Sequence, residues 1–177
     1  MKFYSVTEIL SPYQDFSKVP EYRLERARIR GTGVHKVCLL YARGIWPVVP
    51  SEYQGYFESF KKWWYTAVDL LHIIEVEPEL KDENYGFMGH PDLILTLKGE
   101  PFTSVWDLKT PVNHYPTWVA QLAAYKHLAL QVSSVNRCGS IMLDANGKKP
   151  KIREYQDDKR DFAAFLAALT AHRYFRG

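Results

Sequence analysis

Sulfur is scarce in this chain of 177 residues: there are two cysteines, Cys38 and Cys138, and neither sits in a CxxC pair. A disulfide framework, a zinc finger and a four-cysteine iron–sulfur site are therefore unsupported. Long apolar runs are also missing; none reaches the roughly 18 residues of a membrane-spanning helix. The opening Met1-Lys2-Phe3-Tyr4-Ser5 lacks the apolar stretch of a signal peptide. The expected setting is a reducing cytoplasm with no membrane partner. Internal repeats, low-complexity tracts and linkers are absent as well. One domain over residues 1–177 is expected, since a chain of this length buries roughly 70% of its unfolded surface without staples.

What is present is aromatic and mildly basic. Phe, Trp and Tyr make up 15% of the chain, enough to fill a core, stack on nucleic-acid bases, or both. Core packing is the expectation for most of these rings. The net charge of +3 is compatible with a polyanionic partner but selects none by itself.

Hydrophobic periodicity places the elements. The opening residues 3–7 read as β-like, leading into a short helix or turn before Pro12. Residues 21–43 are helix formers, interrupted by Gly31-Thr32-Gly33; Thr32 is a candidate cap for a helix restarting there. Residues 51–71 are the clearest helix, capped by Ser51. Tyr53, Tyr56, Phe57, Phe60, Trp63, Trp64, Ala67, Leu70 and Leu71 recur in it at three- and four-residue steps. The period then shortens. Strands are expected over 72–80, 85–97 and 102–110, the last two around the turn Lys98-Gly99-Glu100-Pro101. Pro116 opens a helix to about Gln131. Residues 138–143 and 151–155 bracket an Asn146-Gly147 turn, and a final helix runs from Asp158 to about Tyr174. This order predicts an α+β fold.

The middle strands carry the chemistry. A four-residue turn at 98–101 places Leu97 opposite Phe102, and continuing that register places Asp92 opposite Asp107. Opposed β-carbons lie roughly 4.5–5.5 Å apart. Two carboxylates that close repel each other unless a positive charge lies between them. A divalent cation with a preference for hard oxygen ligands serves, magnesium or manganese first. Strand alternation puts Lys109 on the same face as Asp107, with Trp106 and Leu108 on the other. The plain alternative is a solvated Asp–Lys ladder on a surface hairpin.

Taken together, Gly89-His90-Pro91-Asp92, fourteen further residues and then Asp107-Leu108-Lys109 resemble the PD-(D/E)xK nuclease superfamily. Two more segments are similar to its RecB-like and phage exonuclease branch. Gly31-Thr32-Gly33-Val34-His35 matches a G-x-x-x-H helix before the core. Gln121-Leu122-Ala123-Ala124-Tyr125 matches a Q-x-x-x-Y helix after the D-x-K strand. The four motifs span 31–125 in the expected order, and the opening Val6-Thr7-Glu8-Ile9-Leu10 adds to the likeness. The resemblance implies a restriction-endonuclease-like core, a mixed central β-sheet flanked by helices. It implies that Asp92 and Asp107 are metal ligands, that Lys109 positions or activates the attacking water, and that His35 is a further ligand. Gln121 and Tyr125 would lie near the site and the DNA backbone. It also implies an acid on the first core strand, where Glu75, Glu77 and Glu79 share a face by alternation; Glu77 is the choice and Glu75 the second. Each has a plainer reading: a core histidine for His35, a helix-surface pair for Gln121 and Tyr125, a solvated strand face for the glutamates.

The function so implied is a Mg2+- or Mn2+-dependent deoxyribonuclease. It would be a sequence-non-specific exonuclease of the phage recombination or repair type, acting on single- or double-stranded DNA. A structure-directed endonuclease with the same core, and a catalytically inactive nucleic-acid-binding module, are the alternatives. No helix-turn-helix or other base-reading pattern is present. Lys61, Lys62, Lys126, Lys148, Lys149, Lys151, Arg153, Arg23, Arg26, Arg28 and Arg30 are candidate phosphate contacts of the salt-sensitive, sequence-independent kind.

Overall fold

The computed structural model describes residues 2–110 and 113–176. The chain forms a short strand β1 (Tyr4–Ser5), helices α1 (Val6–Leu10), α2 (Glu21–Ala42) and α3 (Gln54–Ala67), and strands β2 (Val68–Val76), β3 (Leu80–Asp82), β4 (Phe87–Gly89), β5 (Leu93–Leu97) and β6 (Thr103–Lys109). Helix α4 (Thr117–Ala129), strands β7 (Val135–Met142) and β8 (Lys151–Tyr155), and helix α5 (Asp158–Arg176) follow. It is a mixed α/β fold with two mixed sheets. The larger has the order β2-β5-β6-β7-β8, and the smaller β1-β4-β3. Neighbours in the larger sheet are antiparallel except β6 and β7, which run parallel. A parallel pair needs a long crossover, and α4 supplies it.

The predicted β5–β6 register is found: Leu93 pairs with Trp106, Ile94 with Val105, Leu95 with Ser104 and Thr96 with Thr103. Alternation then sorts side chains between two cores. Ile94 and Val105 pack with Leu122, Tyr125, Leu128, Phe87 and Phe165. Leu93, Leu95, Trp106 and Leu108 pack with Val34, Cys38, Phe60, Trp63 and Trp64 on the opposite face. Strand β6 is therefore buried on both faces. By the same parity Asp107 and Lys109 project toward α4.

Several element bounds differ from the sequence reading, each for a physical reason. Helix α2 does not break at Gly31-Thr32-Gly33. Glycine serves close approach there: a Cβ on Gly33 would come within 2.4 Å of the Tyr53 ring. Helix α3 begins after a 3-10 turn at Ser51–Tyr53 and stops at Ala67, and Ser51 makes no side-chain cap. Its stripe from Tyr56 to Trp64 is core, as expected. Leu70 and Leu71 instead lie in β2 and are exposed, Leu71 at 88%. The predicted strand 72–80 is divided at Glu77, whose φ of 53° cannot continue a ladder. Glu75, Glu77 and Glu79 thus share no strand face. Strand 85–97 is divided at His90-Pro91-Asp92, because proline cannot donate to the ladder.

Two stability predictions arise at this level. Gly55, in the first turn of α3, faces the 143–150 loop so closely that a Cβ would fall 1.6 Å from the Ala145 carbonyl oxygen. Backbone cannot give way as a side-chain tip can. Gly55→Ala is expected to cost about 1–3 kcal/mol, read as a lowered midpoint in urea unfolding.

The second concerns Asp82, which is buried where β3 meets α4. Its carboxylate accepts the Tyr85 amide at 2.7 Å and faces His127 Nε2 at 2.7 Å. Burial works to raise its pKa, but the Tyr85 amide and His127 prevail and hold it below the ordinary 3.8. A depressed carboxylate stabilises the fold above its unfolded pKa, and that contribution is lost as pH falls through the folded value. Asp82→Asn is therefore expected to lower Tm near pH 7. The gap to wild type should close as pH falls below about 4, measured by thermal unfolding across that range.

Candidate active site

The site forms where both helical layers reach the same end of β5 and β6. Asp92 sits at the bend immediately before β5, and Asp107 and Lys109 sit in the last turn of the β6 ladder. Helix α2 brings His35 from one side of the sheet; α4 brings Gln121 and Tyr125 from the other.

Contacts join the six residues in two groups, which meet at the Leu108 amide. His35 Nδ1 lies 3.3 Å from Asp92 Oδ1. Asp92 Oδ2 accepts the Leu108 amide at 2.7 Å, across from Asp107. Lys109 Nζ lies 2.5 Å from Asp107 Oδ2 and donates to Gln121 Oε1 at 2.9 Å. Gln121 Nε2 in turn donates to the Tyr125 hydroxyl at 3.2 Å. Asp92 and Asp107 are buried, at 6% and 3% exposure. The surface-ladder reading of Asp107 and Lys109 therefore fails, as does the surface-pair reading of Gln121 and Tyr125, because Tyr125 is buried in the core.

Burying two acids and an ammonium together costs several kcal/mol per ion unless geometry repays it. Repayment is uneven here. Burial pushes the Asp92 carboxyl up, but His35, the Leu108 amide and Lys109 outweigh it and hold Asp92 below the ordinary carboxylate range. Burial also pushes Asp107 up; Lys109 opposes this, Asp92 reinforces it, and the net direction is upward. Burial tends to lower the His35 imidazole, yet Asp92 prevails and raises it. Tyr125 is pushed upward by burial first and by Asp107 next, so it stays a neutral phenol.

A divalent cation fits part of this donor set. The ammonium beside Asp107 Oδ2 does not give that buried oxygen a well-directed hydrogen bond, so it is an unsatisfied acceptor. Asp107 is the acid that a nearby cation would ionise, and the Asp92 carboxylate is already charged. Among the described residues no three of His, Cys, Asp and Glu form a ready-made cage. Magnesium does not require one: it is commonly held by one or two carboxylates, with waters and substrate phosphates completing the shell. His35 spends Nδ1 on Asp92, which leaves Nε2 as its available nitrogen.

Glu77 stands apart from the carboxylate pair. Its amide donates to the Asp92 carbonyl at 2.9 Å, so its backbone is adjacent. Its carboxylate, however, is bound by Arg43 at 2.9 Å. Both line a cavity of about 500 Å3 with Gly31, Thr32, His35 and Lys36. His90 is turned to Glu79, 3.9 Å away. Among the candidate cations, Lys61 pairs with Glu58, and Lys62 and Lys126 donate to the carbonyls of Gly147 and Asn136.

Two residues of the site escaped the sequence reading. Trp118 lies under the Lys109 ammonium, 5.1 Å from ring centroid to Nζ. It precedes Gln121 by three, so helical spacing from the Q-x-x-x-Y pair pointed to it. Arg43 lies two helical turns beyond His35, the only sequence signal for its reach to Glu77.

No helix among the described residues is long and apolar enough to cross a membrane. No protein-family model matches the chain, and no curated protein matches it.

Proposed function

We propose that this chain is a metal-dependent nuclease with a restriction-endonuclease-like core of the PD-(D/E)xK type. It would hydrolyse phosphodiester bonds in DNA as a sequence-non-specific exonuclease of the phage recombination or repair kind. The observation that carries the reading is the two buried acids, Asp92 beside His35 and Asp107 beside the Lys109–Gln121–Tyr125 run, brought together from four separate stretches of chain. Buried charge on this scale is costly to maintain without a role.

Asp92 and Asp107 would hold Mg2+ or Mn2+, with His35 beside Asp92. When bound, the metal supplies a more acidic water and neutralises charge on the phosphoryl oxygens. Lys109, fixed between Asp107 and Gln121, places positive charge where negative charge develops on the phosphoryl group. Gln121 orients that ammonium, and Tyr125 anchors Gln121 from the core. Glu77 would reach an ion only after leaving Arg43.

A surface beside the site suits phosphate. A cavity of about 450 Å3 adjoining Thr110 and Tyr56 is bordered by Lys148, Lys149 and Lys151. Asp144, which also lines it, accepts the Asn146 and Lys148 amides through Oδ1. Lysines without carboxylate partners give salt-sensitive binding that ignores sequence. The reading carries a cytoplasmic location with it, the host's if the chain is viral.

Substrate topology tests the exonuclease form. End-labelled linear DNA should lose nucleotides from an end with Mg2+ and remain intact with EDTA, while covalently closed circles resist. Cutting of closed circles at the same rate would replace it with the endonuclease alternative.

A further inference from the structure

A third cavity, about 720 Å3, is lined in part by Trp118. It lies between the first half of α2, the 14–20 segment and the approach to α4. Its volume falls within the roughly 300–1,000 Å3 of small-ligand sites. Three aromatic rings line it. Phe16 meets Tyr115 edge to face at 5.6 Å, and Tyr115 meets Trp118 at 5.4 Å. Three arginines, Arg23, Arg28 and Arg30, line it too. Glu21 and Glu25 share the wall, but Glu25 is paired with Arg28 at 3.8 Å.

Arg23 and Arg30 pair with no carboxylate among the described residues, and of the two Arg30 lies deeper. Its Nε is buried without a hydrogen-bond partner, and its guanidinium rests over the Tyr56 ring at 5.9 Å. Nε itself is closed off, so a phosphate in the cavity would meet the terminal nitrogens of the planar guanidinium. Tyr56 also borders the lysine-lined cavity, and Trp118 also carries the Lys109 ammonium. Trp118 is thus the residue shared between the aromatic cavity and the Lys109 ammonium.

Resting on the nuclease reading, we infer that this cavity receives unpaired DNA nucleotides flanking the scissile phosphate, with bases against the Phe16–Tyr115–Trp118 wall and a phosphate on Arg30. Stacking decides for single-stranded DNA. A base can lie against a protein ring only after leaving its duplex stack. The active form would therefore take a frayed or single-stranded end in preference to a closed duplex.

The test is binding in EDTA, where cleavage plays no part. A fluorescein-labelled oligo-thymidine strand and a blunt duplex are titrated against wild type, Tyr115→Ala, Tyr115→Phe and Arg30→Gln by anisotropy. Tyr115→Ala and Arg30→Gln are each expected to weaken single-strand binding about tenfold. Tyr115→Phe should retain wild-type affinity, and duplex affinity should not change. Unchanged single-strand binding in both variants, or equal losses on strand and duplex, would overturn the inference. Arg30→Gln carries the test if Tyr115→Ala melts early. Magnesium-dependent cleavage by the same wild-type preparation separates the two claims. No cleavage with the variant pattern intact removes the nuclease reading alone; cleavage with the pattern absent removes the cavity assignment alone.

Discussion

Replacing Lys109 by alanine is expected to lower the magnesium-dependent rate of DNA cleavage by about 10²–10³-fold, the usual effect of losing one preorganised charge at a reacting centre. The ammonium is fixed by Asp107 at 2.5 Å and Gln121 at 2.9 Å, with the Trp118 ring beneath it. Three directions of restraint leave it little freedom, so its charge is in place before substrate arrives. The fold should survive the change. Asp107, already pushed up by burial, can take a proton when its cation is removed. Initial rates on linear DNA, beside a thermal melt of the same preparation, separate lost chemistry from lost structure. A rate equal to wild type would remove Lys109 from the chemistry.

The largest effect on stability is expected one residue before Asp107. Trp106 is fully buried; its indole N–H donates to Ser104 Oγ at 2.8 Å, and its ring meets Trp63 edge to face at 6.0 Å. Trp106→Ala leaves a cavity in the centre of the sheet and removes the donor to Ser104 Oγ, which keeps its own bond to the Leu95 carbonyl at 3.0 Å. The expected loss is about 3–5 kcal/mol. For a chain of this length that is a fall in Tm of roughly 6–20 °C, measurable by circular dichroism. Trp106 and Leu108 also hold the face of β6 that keeps Asp107 and Lys109 turned to α4. Activity should therefore fall with stability, unlike the Lys109 variant.

The contrast between these two variants follows from what the sequence made legible. Alternation in 102–110 and the turn at 98–101 were enough to set the β5–β6 register as far as Leu93–Trp106, one step short of Asp92 and Asp107, and to put Lys109 beside Asp107, because a strand has a period of two and a short turn leaves one register. The Gln121–Tyr125 spacing was equally readable as one helical face. What could not be read was governed by distant chain. The glycines at 31 and 33 looked like a break, yet the helix runs through both and Gly33 makes room for Tyr53. Leu70 and Leu71 continued a helical stripe on paper, but the chain turns into β2 at Val68. Glu77 looked like a strand acid, and only the folded chain shows its positive φ and its Arg43 partner. Arg30 stood among the sequence's candidate cations, but the cavity it shares with Trp118 required knowing how α2 and α4 approach each other.

The most direct measurement is cleavage of end-labelled single-stranded and double-stranded DNA by wild type and Asp107→Asn, with Mg2+, with Mn2+ and with EDTA. Asp107 holds the one buried carboxylate oxygen without a well-directed hydrogen bond among the described residues. The expected result is product from wild type with either metal, none in EDTA, and none from Asp107→Asn. Absence of metal-dependent product from wild type on every substrate, or equal product from Asp107→Asn, would contradict the account.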